Sequence, residues 1–252
     1  MMPKSTIYFV NSINGNDENA GLSENTAFKS LKMINNLSLL PGDKVMLAKG
    51  SVFENEFLHI KNCGDINGDL IEITSYGDGD LPKINANGNG IWHQDYGTEL
   101  DFKGHRYKGD VSSAILLYDV ENILISDIEI TNKEEFTDLE SYCAPDKMDR
   151  TGVAAFAKNR GTLHSITLKN LFIHDVNGNV YNKHMNNGGI YMTAFKPNNE
   201  AKTGVARYDG VAVEDCFVKN VSRWGIAVGY SYRHKDFATK ELACLLYTSD
   251  AA

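Results

Sequence analysis

Apolar residues follow the same alternating pattern in three stretches of the chain, at 123–132, 166–175 and 211–220. In the first stretch they occupy positions 123 and 125 and then positions 128 and 130, so the phase of the alternation changes once. One unbroken strand would place residues 125 and 128 on opposite faces. Each copy is therefore predicted to form two short strands that meet at a corner and face one core.

The residue at the change of phase is an Asn or Asp in every copy: Asp127, Asn170 and Asp215. These side chains tolerate a left-handed bend of the backbone. Each copy is followed, after a loop of varying length, by a glycine and a short apolar run, beginning at Gly152, Gly189 and Gly225. A β-sandwich would also contain short strands, but it would not require the same kind of residue at every corner.

Self-similarity of this kind is typical of a solenoid. Rungs with three sides that stack in parallel would pair each residue with its equivalent on the next rung and bury a continuous interior. The predicted fold class is therefore all-β, a right-handed parallel β-helix, in a single incomplete domain over 1–243.

A short amphipathic helix is predicted to cap the lower rung, which would otherwise expose strand edges and core. Thr26 can cap a helix over 27–37, in which Phe28, Leu31 and Ile34 form one apolar stripe. This cap helix spans 26–38, and strands are predicted to follow at 44–48, 56–60, 70–76 and 82–85. The polar segment 14–19 is predicted as a turn, with a calcium-binding loop as the alternative, although its spacing does not fit an EF-hand.

Composition limits the classes of function. The chain has 252 residues, of which 42% are hydrophobic, so it is long enough for a sizeable core. A formal net charge of −8 argues against nucleic acid or an anionic membrane as a partner, and no apolar run reaches the roughly 18 residues of a membrane span. The whole protein is expected to be a monomer. Without an apolar secretion signal the sequence as written indicates a cytoplasmic protein, whereas a start codon placed too late would fit an extracellular one.

The last residues, 244–252, read like the translated end of a sequencing adapter, so they are predicted to be a non-native tail. Natural sequence is then expected to end near Ala243. Such a fragment should be inactive by itself and should associate through its open upper rung. The remaining cysteines fit no disulfide pattern and are predicted to be reduced: Cys63, Cys143 and Cys216.

Several motifs resemble those of a known family. The segments 8–10, 15–17, 41–45 and 73–77 resemble the N-terminal part of pectate-lyase-like right-handed β-helix proteins. Later motifs resemble a carbohydrate-active branch, the glycoside hydrolases of the lacto-N-biosidase type (family 136), and lie at 124–132, 173–178, 188–190 and 223–226. The resemblance covers about 6–237. It implies a carbohydrate substrate and a glycoside hydrolase whose acid pair lies further along the chain than this sequence reaches.

Hydrolysis of a glycosidic bond usually needs two carboxyl groups, one that protonates the leaving oxygen and one that acts as nucleophile or base. No recognisable pair is present. Asp175 falls at the same predicted corner as Asn132 and Asn220, which favours a structural role for its side chain. The remaining candidates are Asp138, Glu140, Asp146, Asp149 and Asp209.

A polysaccharide lyase is the first alternative. It needs a base that removes a proton from a uronate and a cation that neutralises the carboxylate. His174 and Lys219 are predicted to lie on neighbouring rungs in an outward column with Thr131, and with Asp209 they are the candidate catalytic residues. A solvated outer face would contain the same residues. The lyase motifs of the superfamily, an Asp cluster for calcium and Arg-x-Pro-x-x-Arg, are absent from the sequence.

Aromatic residues suggest where a sugar could bind, because sugar rings stack on aromatic faces. Phe172 and Phe217 are predicted to stand one above the other, near Tyr191, unless a loop covers them. A cation–π pair that holds a loop is the plainer interpretation of an adjacent Arg and Trp. The candidate substrate-binding residues are Trp92, His93, Lys183, His184, Arg223 and Trp224.

A non-enzymatic glycan-binding or adhesin β-helix is the second alternative, because one fold hosts many functions. The long insertions at 88–112, 133–150, 176–187 and 194–209 favour a binding face in either case. No zinc, nucleotide or serine-hydrolase motif occurs in a usable context, so no metal site and no cofactor are predicted.

Overall fold

The structure is a computed structural model that describes residues 5–100, 106–133, 148–179, 186–229 and 231–233. It is mostly β, with two sheets whose strands run parallel except at one hairpin. The first sheet contains β1 (Ile7–Val10), β2 (Lys44–Ala48), β3 (Val52–Glu54), β5 (Ile71–Tyr76), β6 (Lys83–Asn85), β9 (Ile123–Asn132), β11 (Thr162–Val176), β13 (Arg207–Glu214) and β14 (Phe217–Val221). The second contains β4 (Leu58–Lys61), β7 (Ile91–Asp95), β8 (Lys108–Tyr118), β10 (Asp149–Ala157), β12 (Gly188–Ala194) and β15 (Ile226–Val228).

The three sequence copies stack in register, as their pattern predicts. Leu168 lies between Ile125 on one side and Val213 on the other, all in parallel strands. In the second sheet, Ile190 likewise lies between Val153 and Ile226. The main core lies between the two sheets and contains aliphatic residues from both. The parallel stacking is therefore confirmed, whereas a closed right-handed coil stays a prediction.

The corners form where the apolar phase changes. Asp127, Asn170 and Asp215 have φ values of 58°, 48° and 52°, in the left-handed region that Asn and Asp tolerate. The Nδ2 of Asn170 donates a hydrogen bond of 2.6 Å to Oδ1 of Asp127 on the neighbouring rung. Burial alone would raise the pKa of Asp127, but the bonds from Asn170 and other side chains outweigh it and hold that pKa below its ordinary 3.8. The bend residues therefore also tie adjacent rungs together.

Replacing Asn170 by Ala should lower the free energy of unfolding by about 2 kcal/mol, from the strain of a left-handed Ala and the lost bond to a carboxylate. Asn220→Ala is the matched control, because Asn220 has φ 49° but a longer bond of 3.4 Å to Asp175. We expect about 1 kcal/mol there. The pKa of Asp127 is depressed in the folded state. The larger loss of unfolding free energy in Asn170→Ala should therefore be complete above the ordinary pKa of 3.8, and it should disappear as the pH falls through the folded-state pKa of Asp127. Urea unfolding at several pH values measures this difference, and equal losses for both variants would contradict it.

The cap helix is shorter than the sequence predicts. A 3₁₀ turn occupies Glu24–Thr26, the chain is extended at Ala27, and helix α1 spans only Leu31–Asn35. Phe28 instead forms a parallel bridge with Val10. The predicted apolar stripe is nevertheless buried against the core. Within the described ranges, no helix has the length and apolar character needed to cross a bilayer.

Side chains from distant segments start α1, which explains why local sequence placed it wrongly. Asp17 accepts the backbone N–H groups of Lys29 and Ser30 at 2.8 Å, and Glu56 accepts that of Leu31 at 2.7 Å. The polar segment 14–19 thus serves as a turn whose carboxylate orders the following chain. This use of Asp17 supports the turn interpretation over the calcium-binding loop.

The insertion at 88–112 contributes an antiparallel hairpin pair to the second sheet. Its strand β7 pairs antiparallel with the first half of β8. Trp92 and Tyr96 from the hairpin pack with Phe156, Tyr191 and Phe195 in a second buried cluster. The rings of Phe156 and Phe195 are stacked at 4.6 Å. The hairpin therefore gives the second sheet a core on both of its faces.

Candidate functional site

Three of the four predicted insertions, at 88–112, 133–150 and 176–187, follow strands of the first sheet and precede strands of the second sheet, whereas the insertion at 194–209 connects β12 of the second sheet to β13 of the first. β9 ends at Asn132 before β10, β11 ends at Val176 before β12, and β14 ends at Val221 before β15. The connecting segments are 133–148, 177–187 and 222–225. We call this region the loop corner. In a solenoid, insertions on one face commonly form the binding surface.

Asn132 holds the floor of the loop corner. It is fully buried, and its Nδ2 donates to Ser112 Oγ at 3.0 Å and to the Thr151 carbonyl at 3.1 Å. Its Oδ1 accepts the Gly88 N–H at 2.8 Å. One amide therefore joins three segments that are far apart in sequence. A buried side chain with this many bonds fixes the geometry of the residues above it.

Further polar side chains are buried around this floor. Asp149 and Arg150 begin β10, and Arg150 Nη1 donates to the Lys133 carbonyl at 2.6 Å. Asn186 and Asn187 precede β12 and have no exposed surface. Within the described part of the chain, Oδ1 of both asparagines lacks a hydrogen-bond donor. Buried polar atoms are normally satisfied, so these two acceptors are unusual features of the loop corner.

Arg223 and Trp224 form the exposed wall of the loop corner. The guanidinium lies 5.2 Å from the centre of the indole ring, and Trp224 is 44% exposed. Burial lowers the pKa of Arg223, while Tyr191 and Asp149 act in the opposite direction. The Trp224 carbonyl lies against Gly188, where an added Cβ would come within 2.2 Å of that oxygen. This close contact fixes the segment that carries the indole.

The other predicted subsite residues do not join this wall. Trp92 is 9% exposed, and its indole N–H donates to Ser113 Oγ at 2.9 Å inside the second cluster. His93, the next residue on β7, points outward and bonds to Asp110 at 2.8 Å. Lys183 and His184 lie outside the described residues. The structure therefore brings together Arg223 and Trp224, and it places Trp92 and His93 on opposite faces of the hairpin.

His174 and Lys219 lie in register on β11 and β14, as the sequence predicts. The His174 ring sits between two carboxylates, with Nε2 3.0 Å from Glu129 and Nδ1 2.7 Å from Asp175. The hydrogen bond from His174 lowers the pKa of Asp175. Bonds from His174 and Lys83 also lower the pKa of Glu129, although burial opposes them. Because the imidazole fills the space between the carboxylates, a sugar cannot enter there, and the cluster is suited to joining rungs.

The remaining carboxylates are dispersed. Asp209 on β13 lies 3.5 Å from His164 Nδ1 and has a mostly exposed side chain. Asp138, Glu140 and Asp146 lie outside the described residues. Asp175 and Asn220 are left-handed, as expected of a shared corner, but Asn132 instead pairs with Val176 across a shift of register. The prediction that these three residues share one corner is therefore wrong for Asn132. Thr131, which was predicted to face outward with His174 and Lys219, is buried and donates a hydrogen bond to Asn85.

The two predicted aromatic platforms differ in exposure. Phe172 and Phe217 are in register with ring centres 5.8 Å apart, and Phe217 is 59% exposed. Lys219 Nζ lies 5.0 Å from the Phe172 ring. Tyr191 is buried under the hairpin, where its hydroxyl lies 3.3 Å from that of Tyr96. A loop thus covers Tyr191, whereas Phe217 remains open to solvent.

Comparison with known proteins gives a consistent relationship. No family model matches the chain. A lacto-N-biosidase of Bifidobacterium longum subsp. longum is 43% identical over 256 residues, which cover 90% of this chain and 16% of that protein. Crystal structures of the family 136 lacto-N-biosidase of Eubacterium ramulus, native and selenomethionine-substituted, are 56% identical with a TM-score of 0.86, over 93% of this chain and 37% of theirs. The chain is thus homologous to part of these glycoside hydrolases and spans well under half of their length.

Proposed function

We propose that the chain is part of a glycoside hydrolase that acts on oligosaccharides, with the lacto-N-biosidase activity for which its relatives are named. The observation that carries this proposal is the 56% identity to the Eubacterium ramulus enzyme across 93% of the chain. We also propose that the stacked sheets are the beginning of a right-handed parallel β-helix of the pectate-lyase-like kind. The matching register of three rungs supports that architecture.

In this proposal the chain supplies scaffold and a sugar subsite, and the catalytic carboxyl pair lies outside the described residues. Hydrolysis requires two carboxyl groups that flank the scissile bond. Glu129 and Asp175 are separated by an imidazole, Asp209 pairs with His164, and Asp149 is fully buried. Among the described residues, these carboxylates lack the open space that a glycosidic bond needs between an acid and its partner.

The loop corner is the proposed subsite. The exposed face of Trp224 can stack on the C–H face of a pyranose, and the Arg223 guanidinium beside it can bind hydroxyl groups. A position next to the long insertions suits an extended substrate. The lyase and adhesin alternatives have no support from the lacto-N-biosidases to which the chain is similar.

A chimera tests the proposal directly. Residues 6–237 would replace the corresponding segment of the Eubacterium ramulus lacto-N-biosidase, so that the rest of that enzyme is present. We expect the chimera to retain lacto-N-biosidase activity and to release new reducing ends. A folded chimera without this activity would overturn the proposal, and release of unsaturated uronates, detected by ultraviolet absorbance, would favour the lyase.

Within this chimera, Trp224→Ala should raise KM about tenfold and change kcat little, because stacking of an aromatic ring contributes about 1 kcal/mol or slightly more. Phe217→Ala is the matched control, since Phe217 is also an exposed aromatic residue but lies outside the loop corner. Steady-state kinetics on one oligosaccharide gives both constants. If both substitutions raised KM by the same factor, Trp224 would not belong to the subsite.

A further inference from the structure

A cavity lies between α1 and the strand β4. Its volume is about 880 Å³, within the usual range for sites that bind small ligands. One wall is α1 and the turn after it, and the other wall is the segment that leads into β4. The side chains that matter for its chemistry are Lys32, Asn36, Phe57, His59, Lys61 and Asn62.

The walls of this cavity are joined by fixed hydrogen bonds. Asn35 donates from Nδ2 to the Phe57 carbonyl at 2.9 Å, and its Oδ1 accepts the His59 N–H at 2.7 Å. This amide covers part of the free edge of β4, as a neighbouring strand would. At the other end, Glu56 accepts the Leu31 N–H. The cavity is therefore preformed, and a ligand would not have to order its walls.

Two adjacent rings form an aromatic surface in the cavity. Phe57 and His59 have ring centres 4.5 Å apart, and both side chains are half-buried. His59 Nε2 lies 3.0 Å from the Ser113 carbonyl, and burial lowers the pKa of His59 to about 4. The ring is therefore neutral near pH 7, with Nε2 as donor and Nδ1 as acceptor. Apolar ring faces beside amide groups are the surroundings in which sugars bind.

The rim of the cavity is basic, although the chain as a whole has a net charge of −8. Lys32 and Lys61 are exposed on opposite walls. The carboxylate that shares the lining, Glu56, already accepts a backbone N–H, and burial raises its pKa. Asp17 behind it is likewise bonded to Ser30 and Lys29. The two ammonium groups are thus the charges that a ligand would meet first.

We propose that this cavity is a second glycan-binding site that takes an oligosaccharide carrying a carboxylate. The sugar ring would stack on Phe57 and His59, and its carboxylate would lie between Lys32 and Lys61. Among the described residues, none of those that line the cavity belongs to the loop corner. The described residues that line this cavity differ from those of the proposed subsite, and binding there does not require hydrolysis.

Titration calorimetry of the chain with 3′-sialyllactose and with lactose tests this proposal. We expect 3′-sialyllactose to bind more tightly than lactose, and we expect the difference to shrink as salt is added. Replacing both Lys32 and Lys61 by Ala should weaken 3′-sialyllactose binding about fivefold and leave lactose binding unchanged. Phe57→Leu should weaken binding of both sugars, because it removes the ring on which they stack.

The matched control replaces Lys108 and Lys202, two exposed lysines outside the cavity, by Ala. It should bind both sugars as the parent chain does. Equal circular dichroism spectra would show that each variant is folded. The proposal is overturned if neither sugar binds, if lactose binds as tightly as 3′-sialyllactose, or if the Lys32 and Lys61 variant behaves like the control.

Discussion

Replacing Leu168 by Ala should lower the free energy of unfolding by about 3 kcal/mol, because a large cavity would open in the middle of the main core. Leu168 has no exposed surface and lies between Ile125 and Val213 on adjacent rungs. Each rung contacts only its neighbours in a stacked fold, so the space left by the side chain affects both of its interfaces. Urea unfolding followed by circular dichroism at low protein concentration measures the loss.

Thr167→Ala is the control for this experiment. Thr167 is the preceding residue of β11, is half-buried and faces the opposite side of the sheet. We expect a loss of less than about 1 kcal/mol there, because no buried cavity forms. Similar losses for the two variants would mean that Leu168 does not face the shared core, and the stacking order of the rungs would then have to be revised.

The repeated strands could be predicted because their cause is local and recurs. Alternating aliphatic residues determine which face of a strand is buried, and a polar bend residue at a fixed offset determines where the strand turns. The sequence alone aligns Ile125, Leu168 and Val213, because each occupies the same place in the repeated pattern. Repetition supplies the long-range pairing that a single strand pattern lacks.

The candidate site was less predictable because its geometry depends on contacts between distant segments. In the sequence, Asn132 resembles the other bend residues. Nothing in the adjacent residues indicates that its amide bonds to Gly88, Ser112 and Thr151. Trp92 looked like an accessible aromatic residue in a loop, but the hairpin turns it inward. Neighbouring residues of a strand face opposite sides, so a shift of one residue decides whether a side chain is packed or exposed.

The predicted start of helix α1 is wrong for a related reason. Thr26 has the chemistry of a helix cap, yet Asp17 and Glu56 bind the N–H groups that precede and begin the helix. Those carboxylates come from segments on either side of α1 in the sequence. Capping by distant side chains leaves no local signal.

One end of the described stack should make the chain self-associate. β13, β14 and β15 each pair on one side only within the described residues. Ile226 and Val228 are 45% and 44% exposed, whereas Ile190, which pairs with Ile226 on the rung below, is fully buried. Apolar residues beside unpaired strand edges are a template for another chain.

Replacing Ile226 and Val228 by Lys should therefore convert the associating chain largely to a monomer, because charged residues on an edge strand oppose pairing between chains. Replacing Ile13 and Ile66, which are 66% and 45% exposed elsewhere, gives a control with the same added charge. We expect this control to associate like the parent chain. Sedimentation velocity over a range of concentrations distinguishes the three proteins. A parent chain that stays monomeric at all concentrations would show that β15 does not mediate association.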